Sequence, residues 1–209
     1  MAPQRPYHHG NLKSALLAAA LELIREVGPA AFTLREVARR AGISHNAPYR
    51  HFREKDELLA AVATTGFERL AKQLARPGTI PPHVRKPALL RFHASGVAYV
   101  QFALKSPEHF LVMFDWPLEA DRYPELATSA TCAFSVLVGL VQAAQREGSL
   151  PGGDPHGIAC IAWSLVHGVA KLAIAKKLPF QSMVEVLSFT KRAIEALQGG
   201  LSRGAPWKN

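Results

Sequence analysis

The chain has 209 residues, 48% of them hydrophobic and 20% charged, enough for one or two globular domains and unlike disordered or collagen-like sequences. Twenty-five Lys and Arg against sixteen Asp and Glu leave a net charge of +9, which suits a polyanionic partner without establishing one. Residues 1–60 hold nine basic and six acidic groups, so the excess is spread out and local pattern must carry any nucleic-acid argument.

From Leu12 the apolar residues Leu16, Ala19, Ala20, Leu23, Ile24 and Val27 recur at three- and four-residue steps, the stripe of an amphipathic helix. Gly28-Pro29 ends it. Thr33 then stands three residues before Glu36, a capping-box pattern that opens a second, short helix through Leu34, Val37, Ala38 and Ala41. Gly42 stops that helix, Ser44 can cap a third through about His51, and a fourth starts near Lys55 and runs to Leu74. The break at Arg76-Pro-Gly-Thr-Ile-Pro-Pro82 predicts a domain boundary. Residues 1–60 would form one domain, the helix to about 75 a link, 76–200 a second domain, and 201–209 a flexible tail. Prolines just inside helix starts at 107, 124 and 155 predict further segments at roughly 84–105, 107–114, 124–147, 155–177 and 180–198. The expected fold is all-α, with about nine helices.

The window 33–55 carries the specific signal. It holds six basic and two acidic residues. A helix-turn-helix needs a small residue where its helices cross, a residue tolerant of positive φ in the turn, and an apolar residue after it; Ala38, Gly42 and Ile43 supply these. The second helix would offer His45, Asn46, Ala47 and Tyr49 to a major groove, with Arg35 and Lys55 reaching flanking phosphates or bases. Phe52 would be core. Pro48 removes a backbone donor early in this helix and biases Ala47 away from α geometry, which predicts an irregular helix start.

Ala-Arg-Arg-Ala-Gly-Ile-Ser44, Tyr49-Arg-His-Phe52 and Lys55-Asp-Glu-Leu-Leu59 resemble the TetR family of one-component transcriptional regulators over about residues 10–60. Trp163-Ser-Leu-Val-His167-Gly168 is similar to a Trp-His-Gly signature of one C-terminal subgroup, in which Tyr7-His8-His9-Gly10 is also common. The resemblance implies a homodimer with three N-terminal helices on a palindromic operator and a larger helical domain that binds an inducer. Carried over to this chain, the DNA contacts fall on Thr33, Arg35, His45, Asn46, Ala47, Tyr49, His51 and Lys55, with Ser44 beside them. Arg5, Tyr7, His8 and His9 would either track a minor groove or stay disordered without DNA.

Beyond the boundary, Phe92, His93, Gly96, Tyr99, Val100, Phe110, Met113, Phe114, Trp116, Phe134, Leu137, Trp163, Val166 and His167 form an aromatic-rich apolar set. Such sets line ligand pockets and also fill ordinary cores, and both readings stand for each residue. With no obvious charge cluster among them, the expected effector is mostly hydrophobic. The segment at 155–177 is apolar nearly all round, which predicts burial on every side. Its small-residue stripe Cys160, Ser164, Gly168, paired with Phe180, Met183, Val184, Leu187, Ile194 and Leu197, would form a dimer interface.

Cys132 and Cys160 lack paired spacing and are expected to be buried free thiols in a reducing cytosol. The N-terminus has no apolar stretch of the secretory kind, and the uncharged run Leu126–Gln145 carries enough Thr, Ser and Gln to predict a core helix rather than a membrane span. A cytoplasmic protein is expected. The nine histidines show no ligand spacing, and Ser188-Phe-Thr-Lys191 lacks the segments that accompany an acyl-enzyme motif, so neither metal, cofactor nor catalysis is expected. The competing functions are a small-molecule-binding enzyme or carrier and a non-specific nucleic-acid binder. A complete helix-turn-helix pattern favours the regulator over both.

Overall fold

A computed structural model describes residues 9–76 and 84–203; the expected arm at Arg5, Tyr7 and His8, the break at 77–83 and the tail from 204 lie outside them. Eight α-helices occur among the described residues: α1 (His9–Val27), α2 (Leu34–Arg40), α3 (Lys55–Ala75), α4 (Pro87–Lys105), α5 (Pro107–Phe114), α6 (Pro124–Arg146), α7 (Pro155–Ile174) and α8 (Met183–Arg203). Two 3₁₀ turns, Pro48–Arg50 and Ala120–Arg122, complete the set, and no strand occurs among the described residues. The all-α expectation holds. The count differs from nine because Ser44–His51 forms no α-helix.

The helix ends reflect local chemistry. The Thr33 hydroxyl accepts the Glu36 N–H, and the Glu36 carboxylate accepts the Thr33 N–H at 2.7 Å, so both halves of the capping box close. Asp154 accepts the N–H groups of His156 and Gly157 at 3.0 and 2.8 Å, with Pro155 at the first helical position where its missing donor costs nothing.

The chain divides into two compact units. The first holds the described residues to Gly66 together with Glu108–Thr128; the second holds the described residues of Phe67–Pro107 and those from Ser129 to Arg203. This division departs from a head of residues 1–60, because the stretch after α4 joins the N-terminal helices. In the first unit α1 packs on α2, and Leu16, Val37, Ala38, Leu58 and Leu59 are among its most buried side chains. Val27, expected on the α1 stripe, is instead 52% exposed. In the second unit α4 packs on α7 and α8, and those two on each other, burying Phe92, Tyr99, Val100, Val166, Ala170 and Ile194. Cutting Phe92 or Ile194 down to alanine costs about 2–5 kcal/mol.

Three burial expectations need correction. Cys132 and Cys160 are exposed on the outward faces of α6 and α7. Both helices are long and apolar enough to cross a bilayer by length and composition, yet only 28% and 33% of their most apolar windows are buried. Between the charged ends Glu125 and Arg146 the exposed α6 surface is uncharged, with Thr131, Cys132, Ser135 and Gly139 exposed, so the expected core helix is covered on one side only. The same holds for α7, whose burial on every side does not occur within one chain.

Candidate nucleic-acid interface

In the first unit the turn after α2 is built by Gly42. Its φ of +67° lies in the left-handed region, where a side chain is strained, and it lets Ile43 N–H donate back to Ala38 O at 3.0 Å. Pro48 shapes the segment beyond the turn. It has no N–H to give Ser44 O, which instead accepts the Ala47 N–H at 3.0 Å in a tighter bond; His51 N–H donates to Pro48 O at 2.9 Å, again three residues back. The element expected to be a helix with an irregular start is therefore a turn plus one 3₁₀ turn. Ala47 nevertheless keeps right-handed helical angles (φ −63°, ψ −39°), against the expected bias before proline.

Pro48 and Phe52 are buried and anchor this segment, which leaves Tyr49 48% exposed. Ser44, His45, Asn46, Tyr49, Arg50 and His51 are all exposed, Ala47 partly so. Thr33 and Arg35 are exposed at the start of α2, the Thr33 side chain engaged in its cap.

The basic residues of the window divide into two groups. Arg40 turns back onto α1, where its guanidinium meets Glu26 at 2.6 Å and Glu22 at 3.3 Å; those hydrogen bonds raise its pKa and lower that of Glu26. Lys55 also turns inward. Its ammonium donates to Ala30 O at 2.9 Å and lies 5.5 Å from the Phe32 ring centroid and 5.4 Å from that of Trp116. Arg35, Arg39, Arg50 and Arg53 have no hydrogen bond or ion pair from their side chains among the described residues.

The stretch 108–128 brackets this head. Glu108 receives the Arg25 guanidinium at 2.5 Å, Trp116 donates its indole N–H to Asp56 at 3.2 Å, and Arg122 pairs with Glu54 at 3.0 Å. Burial pushes the Glu108 carboxyl up, but the Arg25 hydrogen bond, a backbone hydrogen bond and the nearby positive charges together outweigh it, so the net shift is downward. Met113 fills the space beside Gly66, and the Phe110 and Phe114 rings lie 4.8 Å apart. Phe110, Met113, Phe114 and Trp116 thus belong to the head's unit rather than to an effector pocket. Their pairing with residues far away in sequence left no local signal.

In the second unit Phe92, Gly96, Tyr99, Leu137, Trp163 and Val166 come together around an apolar cavity of about 30 Å³, room for one water. Leu74, Ser95, Ala162, Ile194 and Leu197 complete its wall, residues that an aromatic-weighted reading passes over. The Tyr99 hydroxyl accepts the Trp163 indole N–H at 3.0 Å and sits 2.8 Å from His167 Nδ1, so the signature residues and Tyr99 satisfy one another. Burial raises the Tyr99 pKa, and the Trp163 hydrogen bond only partly opposes this. Phe134 packs edge-on against Trp163 (6.0 Å), whereas His93 faces a different groove.

The expected interface residues also divide. Cys160 and Ser164 are exposed, and a Cβ on Gly168 would meet nothing within 4 Å. Val184 is 77% exposed, Leu187 is part-buried, and Phe180 lies 5.1 Å from the Phe189 ring. Ile194 is the correction: it is 3% exposed and packed toward Gly96 within its own chain, so it offers nothing to a partner.

The profile described as "Bacterial regulatory proteins, tetR family" matches residues 16–62, and that described as "Tetracyclin repressor-like, C-terminal domain" matches residues 92–197. The HTH-type transcriptional repressor Rv3405c of Mycobacterium tuberculosis is 40% identical over 71 residues, 34% of this chain and 36% of that protein, so the match spans about a third of its length. A solved Rhodococcus sp. RHA1 protein of unknown function is 34% identical, with 96% of this chain and 100% of that chain covered and a TM-score of 0.81. The fatty acid degradation regulator FadR of Bacillus halodurans shares the fold at 13% identity, covering 95% and 100% of the two chains with a TM-score of 0.76.

Proposed function

The chain belongs to the TetR family of bacterial regulatory proteins, and from that premise we propose that it is a ligand-responsive transcriptional regulator, not an enzyme, acting in the cytoplasm as a homodimer on a palindromic operator. Repression is the assigned sign, in keeping with the mycobacterial relative's description as a repressor. One observation carries the reading. Arg40 and Lys55 are spent on the fold, while Arg35, Arg39 and Arg50 stand uncommitted on the unit that exposes His45, Asn46 and Tyr49. Uncommitted cations supply phosphate contacts, and the polar side chains between them can reach base edges.

The dimer is assigned to the exposed small-residue and apolar face of α7 and the first turn of α8, through Cys160, Ser164, Gly168, Leu172 and Val184. Exposed apolar surface of this kind is stable in water when a two-fold mate covers it. Two heads related by that axis would meet major grooves about one DNA turn apart. The effector site is assigned to the cavity at Tyr99 and Trp163. Its apolar wall selects a mostly hydrophobic ligand, and its size requires that the site open to admit one. A ligand that binds the open form more tightly shifts the protein toward it, and DNA is released if that form spaces the heads wrongly.

Arg35→Ala and Tyr49→Ala test the head. Both should weaken binding to a selected operator while helical circular dichroism and dimer mass stay unchanged. Wild-type affinity in both variants would remove the interface from this surface.

A further inference from the structure

The second unit holds a groove of about 800 Å³ between α3, α4 and α8, separate from the apolar cavity and outside the DNA-reading head. Arg69, Lys72 and Arg76 line one side, at spacings of three and four residues that place them on one face over about 10 Å of helix axis. Lys191 joins them from α8, and Glu195 is the one carboxylate in the lining. The side chains of Lys72, Arg76 and Lys191 have no hydrogen bond or ion pair among the described residues. Lys72, Arg76 and Lys191 face a single carboxylate and repel each other across the groove, and a bound anion relieves that repulsion.

Two further features define what fits. The floor is apolar, formed by Leu90, Ala94 and Val97, with Leu90 42% exposed. His93 also faces the groove, and its Nε2 is buried without a hydrogen-bond partner. Such an atom is rare in folded proteins and gains from a ligand group that pairs with it. Burial lowers the His93 pKa, Glu195 opposes and Lys191 reinforces the shift, so the imidazole can accept or donate one bond without adding charge.

We propose that this groove binds a small amphiphilic polyanion, an organic diphosphate, with its phosphates along Arg69, Lys72 and Arg76 and its apolar body over Leu90, Ala94 and Val97. One phosphate meets a single cation of the row, whereas a diphosphate can engage two neighbouring cations a turn apart. The site is independent of the DNA-reading head and of the apolar cavity.

Titration calorimetry on the full chain with geranyl pyrophosphate, inorganic pyrophosphate and geraniol, at fixed ionic strength, tests the assignment. Geranyl pyrophosphate should bind at least about tenfold more tightly than either fragment, the worth of one added favourable contact set. The double variant Lys72→Glu, Arg76→Glu should lose that binding by about tenfold or more, while Arg35→Glu, Arg39→Glu on the head should keep it. All four positions are exposed, so circular dichroism should be native in both variants. Absence of binding, equal affinity for a fragment, or loss in the head variant alone would overturn the proposal.

Discussion

The ammonium of Lys55 lies 5.4 Å from the ring centroid of Trp116, and the neighbouring Asp56 carboxylate accepts that indole's N–H at 3.2 Å. Consecutive residues at the start of α3 thus hold one aromatic ring from the stretch after α5. Lys55 also caps the Ala30 carbonyl, so its charge serves the head's internal order.

Lys55→Ala should lower the head's stability by about 1–2 kcal/mol, from one charge-assisted hydrogen bond and the ring contacts. Its salt dependence of DNA binding should stay near wild type, whereas Arg35→Ala should reduce the slope by about one unit. Anisotropy titrations at several salt concentrations separate the two. A slope loss in Lys55→Ala would restore it as a phosphate contact.

The difference between Lys55 as expected and as found shows where legibility ends. The Thr33–Glu36 box and the Gly42 turn were readable because every partner lies within a few residues. The Lys55 partners come from the α1–α2 turn and from Trp116, and no local pattern marks them. Pro48 was readable as a disturbance, but the loss of the whole α-helix depends on how Pro48 and Phe52 bury together. The effector set mixed two units because aromatic content does not say which helices meet. Likewise, Arg76 and Lys191 share a groove that their separation in sequence conceals.

Pro48→Ala supplies the N–H four residues on from Ser44, whose carbonyl accepts the Ala47 N–H instead in the present fold. Amide exchange across Ser44–His51 should slow as an α-helical turn forms, and operator affinity should change because His45, Asn46 and Tyr49 are re-aimed. Unchanged exchange would show that proline is not what holds the 3₁₀ form.

Gly96→Val should destabilise the second unit by about 1–3 kcal/mol, because even a Cβ there would lie 2.6 Å from Ile194 Cδ1 and 3.3 Å from Val166 Cγ1. Adding Ile194→Ala should recover part of the loss. Thermal melts of the single and double variants give the coupling, and additive losses would contradict this packing.

Glu108 contributes to acid sensitivity with a definite sign. Its folded pKa is depressed, so its contribution is present above the ordinary glutamate range and lost as pH falls through the lower folded value. Glu108→Gln should therefore cost stability near neutrality and flatten the loss of stability at acid pH. A variant whose acid profile parallels wild type would detach Glu108 from that loss.

Gly168→Leu reads out the dimer, since a Cβ at this position meets nothing within 4 Å in its own chain. The expected result is a folded protein with native helicity, shifted toward monomer in light scattering and weak on palindromic DNA. An unaltered dimer would move the interface away from α7.

The most direct measurement is a binding selection by the purified full chain on a randomised duplex library, sequenced over successive rounds. A regulator of the kind proposed enriches a palindrome whose half-sites lie about one helical turn apart, and Tyr49→Ala loses that enrichment. Uniform retention of all sequences, falling steeply with salt and equal in Tyr49→Ala, would contradict sequence-specific recognition and leave only charge-driven binding.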